Sequence, residues 1–231
     1  MPDPIIQLRD VAFAYPGGAF RLGVDSLEVA EGARAAMVGP SGIGKTTLVN
    51  LMAGILLPDC GSIRCAGAEV SALPDAARRA HRIQNIGFVF QEFELLEYLT
   101  AEENILLPFL ISPALAPDAA AKARARDLAG ALGIADKLAR RPRELSQGER
   151  QRAAICRALA PQPRLLIADE PTGNLDDETA AAALDALIGH AGREGATLVM
   201  ITHDRSLLPR FDQVIDVAAL ARANPNPGAA A

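Results

Sequence analysis

The stretch GPSGIGKTT at residues 39–47 combines three glycines, a lysine and two threonines at the spacing G-x-x-x-x-G-K-[ST], a pattern suited to holding phosphate. Gly39, Gly42 and Gly44 let backbone amides turn inward around phosphate oxygens, with Pro40, Ser41 and Ile43 completing the loop. Lys45 brings a positive charge to the β- and γ-phosphates, and the Thr46 hydroxyl is a ligand for Mg²⁺. Thr47 follows in the first turn of a helix whose positive end points at the same place. A merely flexible glycine loop would need no particular flanks. Here AAMV (35–38) reads as a short buried strand, and TTLVNLMAGI (46–55) places Leu48, Leu51, Met52 and Ile55 at helical spacing.

Such a loop needs a second, acidic magnesium ligand at the end of a neighbouring strand, and LLIADE (165–170) supplies one. Asp169 closes the apolar run and Glu170 follows it. Adjacent strand residues point to opposite sides, so Asp169 can hold the metal's waters while Glu170 faces the attacking water as general base. Gln91 closes IGFVF (86–90) and His203 closes ATLVMIT (196–202). Alone, each reads as an ordinary polar residue. At the carboxyl ends of parallel strands, however, they face the ligand crevice, where an amide can contact metal or water and an imidazole the γ-phosphate. His81 and His190 lack that placement and are assigned no role.

LSQGER (145–150) raises a different question. Ser146 and Glu149 form a capping box, serine capping a helix and glutamate returning to the serine amide. Gly148 then sits in the first helical turn, where glycine costs about 1 kcal/mol relative to alanine. Something other than helix stability must want a bare backbone there.

The elements that position these residues are legible in outline. Residues 5–13 and 20–30 read as strands joined by a PGG turn, an antiparallel start. RLLIAD (164–169), DQVIDV (212–217) and the strands already named alternate with helices, one of them from about 177 to 191, as in a parallel sheet covered on both faces. Between residue 92 and about 160 strand-like runs vanish and helix formers dominate, as in AAAKARARDLAGAL (119–132) with Gly133 as C-cap. A helical lobe is therefore expected inside an α/β core. The tail ANPNPGAAA (223–231) is expected to be disordered.

Composition sets outer bounds. The 231 residues are 50% hydrophobic and 22% charged with net charge −5, a balance that disfavours nucleic-acid binding. Cys60, Cys65 and Cys156 lack the paired spacing of a zinc site or disulfide framework, which suits a reducing compartment. No window reaches the roughly 18 apolar residues of a membrane span and MPDPIIQLRD has no signal-peptide pattern, so the chain is expected to stay where it is made.

The order GPSGIGKTT, Gln91, LSQGER, LLIADE, His203, with helices inserted between Gln91 and Ser146, resembles the ATP-binding subunits of ABC transporters over about residues 5–217. The resemblance implies an α/β P-loop NTPase core with a mixed, mainly parallel sheet, an N-terminal antiparallel β subdomain and an inserted α-helical subdomain at about 92–160. All would lie in a single domain, 1–222. It implies ATP and Mg²⁺ as ligands, with Thr46, Gln91 and Asp169 at the metal. It also answers the question of Gly148. In this family two subunits pack head to tail, so Ser146, Gln147, Gly148 and Glu149 would close over the ATP held by the Lys45 loop of a second copy, and any side chain at 148 would collide. Tyr15 in AYPGG is similar to the aromatic that stacks on adenine, and Asp176 to an acid at the dimer interface.

Within the family, GFVFQEFELLEYLTAEENILLP (87–108) and ADEPTGNLD (168–176) are similar to ATPases serving permeases of the lipoprotein-releasing and macrolide-exporter type. Phe93, Leu95, Leu96, Tyr98 and Leu99, after Gln91, would suit either the coupling helix of such a permease or the core of the helical lobe. Gln147 departs from the glycine many members carry, and the chain after Val217 lacks their basic, glycine-containing hairpin. The resemblance implies a cytoplasmic homodimeric motor hydrolysing ATP, held at the inner face of the cell membrane by separate integral membrane permease subunits. Two rival readings are an ABC-type ATPase acting on nucleic acid or chromosomes, and a non-catalytic nucleotide-binding scaffold. The absence of coiled coils, zinc modules and a second ATPase half argues against the first, and intact Lys45, Asp169, Glu170 and His203 against the second.

Overall fold

In RLGVDSLEVA the residues Leu22, Val24, Leu27 and Val29 are buried and Arg21, Asp25, Ser26 and Glu28 exposed in the computed structural model, an alternation that changes phase at Asp25–Ser26. That half-buried pattern is the strand signal, and β1 (Pro4–Ala14) and β2 (Arg21–Ala30) pair antiparallel across the turn in which the Gly18 amide donates to the Tyr15 carbonyl at 3.0 Å. The structure describes residues 4–18, 20–171 and 177–220, with only the main chain at 177–179 and 190. Asp176, the side chain of His190 and the tail 223–231 lie outside the described residues.

In chain order there follow β3 (Arg34–Val38), α1 (Lys45–Met52), β4 (Cys60–Cys65), β5 (Ala68–Glu69), α2 (Asp75–Asn85), β6 (Ile86–Val89), α3 (Ala101–Ile111), α4 (Ala119–Ala131), α5 (Gln147–Leu159), β7 (Leu165–Asp169), α6 (Asp177–Glu194), β8 (Thr197–Ile201), β9 (Gln213–Asp216) and α7 (Val217–Leu220). The chain divides into two units, residues 1–82 with 201–231 and residues 83–200.

The first unit holds an antiparallel sheet in the order β2-β1-β4-β5 and the parallel pair β3–β9. Leu48, Leu51 and Met52 of α1 are fully buried, as their spacing predicts. The helix nonetheless stops at Met52, so Ile55, expected on the same buried face, is 44% exposed. Gly54 is the cause: at φ 64 it donates to the Leu51 carbonyl while Ile55 donates to that of Asn50, the paired bonds that close a helix through a left-handed glycine. The elements β4, β5 and α2 were not expected. CGSIRC shows little apolar periodicity, and α2 buries only Arg78, whose guanidinium donates to the Leu73 carbonyl and the Asp75 carboxylate.

Arg34 and Asp212, at the start of β3 and just before β9, fix the register of that pair. The guanidinium donates to both carboxylate oxygens at 2.6 and 3.0 Å, and the Arg34 amide adds a third bond at 2.9 Å. These bonds, the guanidinium first, hold the Asp212 carboxyl down at about 2 from an ordinary 3.8. A depressed carboxyl adds stability above its unfolded value and loses it as pH falls through the folded one. Because the two side chains are 40% and 48% exposed, the contribution is about 0.2–1 kcal/mol. Asp212→Asn is therefore expected to lower stability in urea melts by that amount at neutral pH, with the gap from wild type closing as pH falls from about 4 to about 2. A gap unchanged at pH 2 would refute the assignment.

In the second unit β6 and β7 pair in parallel from Ile86↔Leu165 to Val89↔Ala168, and β8 lies beside β7. Leu165 to Ala168 and all of β8 are buried, the continuous apolar runs expected of strands covered on both faces. Among the described residues from 92 to 160 there are helices and no strand, as the composition predicts. Gly133, at φ 67, closes α4 in the manner of Gly54, with Ile134 donating to Ala129 and Gly133 to Gly130. Arg124 of α4 donates to the carbonyls of Leu159 and Ala160 at the end of α5, a cation on a helix C-terminus. Cys65 and Cys156 are buried and Cys60 half-buried; burial pushes the Cys156 thiol up to about 12, so it stays protonated.

Candidate nucleotide site

The loop between β3 and α1 depends on backbone that only glycine adopts comfortably. Gly39, Gly42 and Gly44 have φ of 152, 77 and 106. At Gly44 a Cβ would also lie 2.7 Å from the Phe20 ring, so conformation and close packing both require the missing side chain. Gly44 is also the N-cap of α1 and offers no side-chain acceptor. The first-turn amides of that helix therefore remain suited to an external anion, reinforced by the helix dipole. The Lys45 ammonium is folded back along the loop, donating to the carbonyls of Gly39 at 2.8 Å and Pro40 at 3.1 Å. A cation, a glycine-rich turn and a helix N-terminus thus share one short loop, a combination suited to binding a triphosphate.

Aromatic residues border this loop. Tyr15 packs edge-on against Phe13 at 4.9 Å and lies 6.0 Å from Phe20, and its hydroxyl shares a hydrogen bond of 3.2 Å with Thr47. The bond tethers the ring to α1 and leaves the residue 40% exposed. Thr47 is itself buried, so its hydroxyl serves Tyr15 and its main chain is what remains for phosphate; Thr46 is exposed.

His203 follows β8 and Thr202, and with Gly39, Pro40 and Asp216 lines a cavity of about 440 Å³. Here the first unit brings together two residues far apart in sequence, the loop glycine and the strand-end histidine. Asp216, which ends β9, and Thr202 are lining residues that sequence reasoning missed. The signal was available for Asp216, since QVID closes on an acid as LLIAD does. Its carboxylate accepts from the Ala218 amide at 2.9 Å and so caps the short helix α7.

In the second unit Gln91 and the acidic pair follow the carboxyl ends of two strands that pair directly, β6 and β7. One expectation needs correction. Strand alternation was to send Asp169 and Glu170 to opposite sides, but β7 ends at Asp169 and Glu170 has φ 44, in the left-handed region. A left-handed turn, not a pleat, aims the Glu170 carboxylate. For a non-glycine residue that backbone costs on the order of 1 kcal/mol or more, and such outliers gather where geometry serves chemistry.

The helix start at Ser146 has the expected capping box. The Ser146 amide donates to the Glu149 carboxylate at 2.7 Å and the Glu149 amide to the Ser146 hydroxyl at 3.2 Å. The Ser146 amide, then its hydroxyl and the charges of Lys137 and Arg140, hold the Glu149 carboxyl below its ordinary range, against a smaller opposing effect of burial. Lys137 stands 3.8 Å from that carboxylate. Ser146 and Gln147 are exposed and Gly148 half-buried, so α5 opens on backbone without a large side chain over it.

The comparisons agree with this chemistry. Residues 22–173 match the family described as ABC transporter. The chain is 44% identical, over 88% of its length and 91% of the relative's, to the lipoprotein-releasing system ATP-binding protein LolD of Geobacter metallireducens. It is 41% identical to the protein of the same name in Roseobacter denitrificans, over 95% of this chain and 97% of that one. Among solved structures it is similar to the ATP-binding cassette MJ0796, a dimer in a post-hydrolysis state bound to ADP and phosphate, with TM-score 0.80 and 29% identity over 92% of this chain and 94% of that chain.

Proposed function

The chain belongs to the ABC transporter family as an ATP-hydrolysing cassette, and on that premise we propose that it is the motor of a lipoprotein-releasing transporter, working through a separate membrane permease. The observation that carries the substrate class is the 44% identity to a lipoprotein-releasing ATPase along nearly the whole of both chains. Among the described residues no helix is long and apolar enough to cross a membrane.

The roles in this reading rest on the motifs and on the local geometry of each. Gly39 to Thr47 cradle the triphosphate, Lys45 turns from its loop carbonyls to the β- and γ-phosphates, and Tyr15 offers a face to adenine. Thr46, Gln91 and Asp169 present hydroxyl, amide and carboxylate oxygens, a hard donor set that fits Mg²⁺. Bound there, the ion would neutralise charge on the phosphates. Glu170 accepts the proton of the attacking water, and His203 donates to the γ-phosphate. Ser146, Gln147, Gly148 and Glu149 complete the site of a second copy, with Asp176 at the same interface. Hydrolysis then separates the two halves, and the permease takes up the motion at the inner face of the membrane.

Purification of the tagged chain from detergent-solubilised membranes is expected to bring down an integral membrane permease, and ATP turnover of that complex in vesicles is expected to rise when lipoprotein is supplied. Recovery of nucleic acid or chromosomal proteins in place of a permease would overturn the reading. A complex stimulated only by a small solute would overturn the substrate class alone.

A further inference from the structure

We propose that Arg157 is a positioning residue for Gln91, acting as a clamp between the helix that begins at LSQGE and the turn that follows the strand-end glutamine. The proposal rests on the reading of Gln91 as a contact of the metal or water. The turn itself is the first observation. Phe93 and Glu94 are consecutive non-glycine residues in the left-handed region, at φ 61 and 49. Neither side chain favours that backbone, so something else must hold it.

Arg157, ten residues along from the start of α5, does so with both arms of its guanidinium. One nitrogen donates to the Phe93 carbonyl at 2.7 Å and the other to the Glu94 carbonyl. Arg150, seven residues earlier and hence on the same face of α5, places its guanidinium 5.6 Å from the centre of the Phe93 ring. The far end of the segment is fixed separately. The fully buried Asn104 accepts from the Leu96 amide at 2.7 Å and donates to the carbonyls of Leu96, Leu99 and Thr100. Residues 93–100 are thus fastened at both ends, and the chain direction at Phe93, two residues after Gln91, is set by α5. A displacement of α5 that accompanies engagement of LSQGE is delivered to the carbonyls of Phe93 and Glu94 and from them to the Gln91 side chain. Lysine cannot replace the arginine, because a single ammonium lacks the planar fork that reaches two carbonyls at once.

The test compares full-length wild type with Arg157→Met, Arg157→Lys, Gln91→Ala and the double variant Arg157→Met/Glu94→Gly. The readouts are ATP turnover, Mn²⁺-ATP binding by electron paramagnetic resonance, and metal-free ATP binding by calorimetry. Removing a residue that orients a metal contact typically costs about 10–100-fold in metal affinity or activity. Both Arg157 variants are expected to lose that much in kcat and in Mn²⁺-ATP affinity, while metal-free ATP affinity stays within about twofold of wild type. Glycine adopts left-handed backbone without a clamp, so the double variant is expected to regain most of the lost turnover. Wild-type turnover in Arg157→Lys, absence of rescue by Glu94→Gly, or parallel loss of both ATP affinities would each overturn the clamp. A loss in Gln91→Ala with none in Arg157→Met would overturn the clamp and leave the role of Gln91 standing. A silent Gln91→Ala would overturn that role and the clamp's target with it.

Discussion

Glutamine in place of Glu170 is expected to lower ATP turnover by about 10²–10⁴-fold, the range a positioned general base contributes, while nucleotide binding survives. The substitution keeps the size and planarity of the side chain and removes its ability to accept a proton. The phosphate loop itself is unaltered in sequence, and the groups proposed to hold phosphate there, the backbone of Gly39, Lys45 and the first turn of α1, are all retained. The left-handed backbone at Glu170 is also retained, so the amide points where the carboxylate did. ATP then binds and is not consumed, and the dimer it draws together should persist. Phosphate release measured beside size-exclusion chromatography in ATP would report both effects. Turnover near wild type would remove Glu170 from the role of base, and the water would need another acceptor.

The parts of the fold that could be read directly are those whose local chemistry agrees with the tertiary outcome. The glycine loop, the capping box at Ser146 and the apolar runs of β7 and β8 each need only neighbours in sequence to form, and each appears where expected. Gly133 ended its helix as predicted, whereas Gly54 had the same power and was read through because Ile55 continued the apolar spacing. Periodicity gave way there to backbone conformation. The strand β4 escaped because its stability comes from pairing with β1, a residue separation no local pattern encodes, and β5, only two residues long, pairs with β4. The same holds at the site. Strand ends marked Gln91, Asp169 and His203, but the aim of Glu170 follows from one dihedral angle, and the hold of Arg157 on Phe93 and Glu94 spans 64 and 63 residues. A consecutive pair of acids suggests a pleat, and only the observed turn corrects it.

The second large effect is expected at Gly148, and it separates a site shared between two copies from one contained in a single chain. Gly148 lies in the first turn of α5, one residue after Gln147 and within the capping box of Ser146 and Glu149. Aspartate is an acceptable residue in the first turn of a helix, where the dipole favours negative charge, so Gly148→Asp should leave α5 folded and the capping box intact. If a partner's γ-phosphate approaches this helix start, the new carboxylate meets it at close range. Two like charges about 4 Å apart at an effective dielectric of about 20 repel by about 4 kcal/mol, or roughly 10³-fold in the association constant. ATP-driven dimerisation of the Glu170→Gln background should therefore disappear at any practical protein concentration, while the affinity of the monomer for ATP stays at its wild-type value. Light scattering with and without ATP reads the first quantity and calorimetry the second. Should monomer affinity collapse instead, LSQGER would belong to the nucleotide of its own chain, and the head-to-tail arrangement proposed for Ser146 to Glu149 would be wrong.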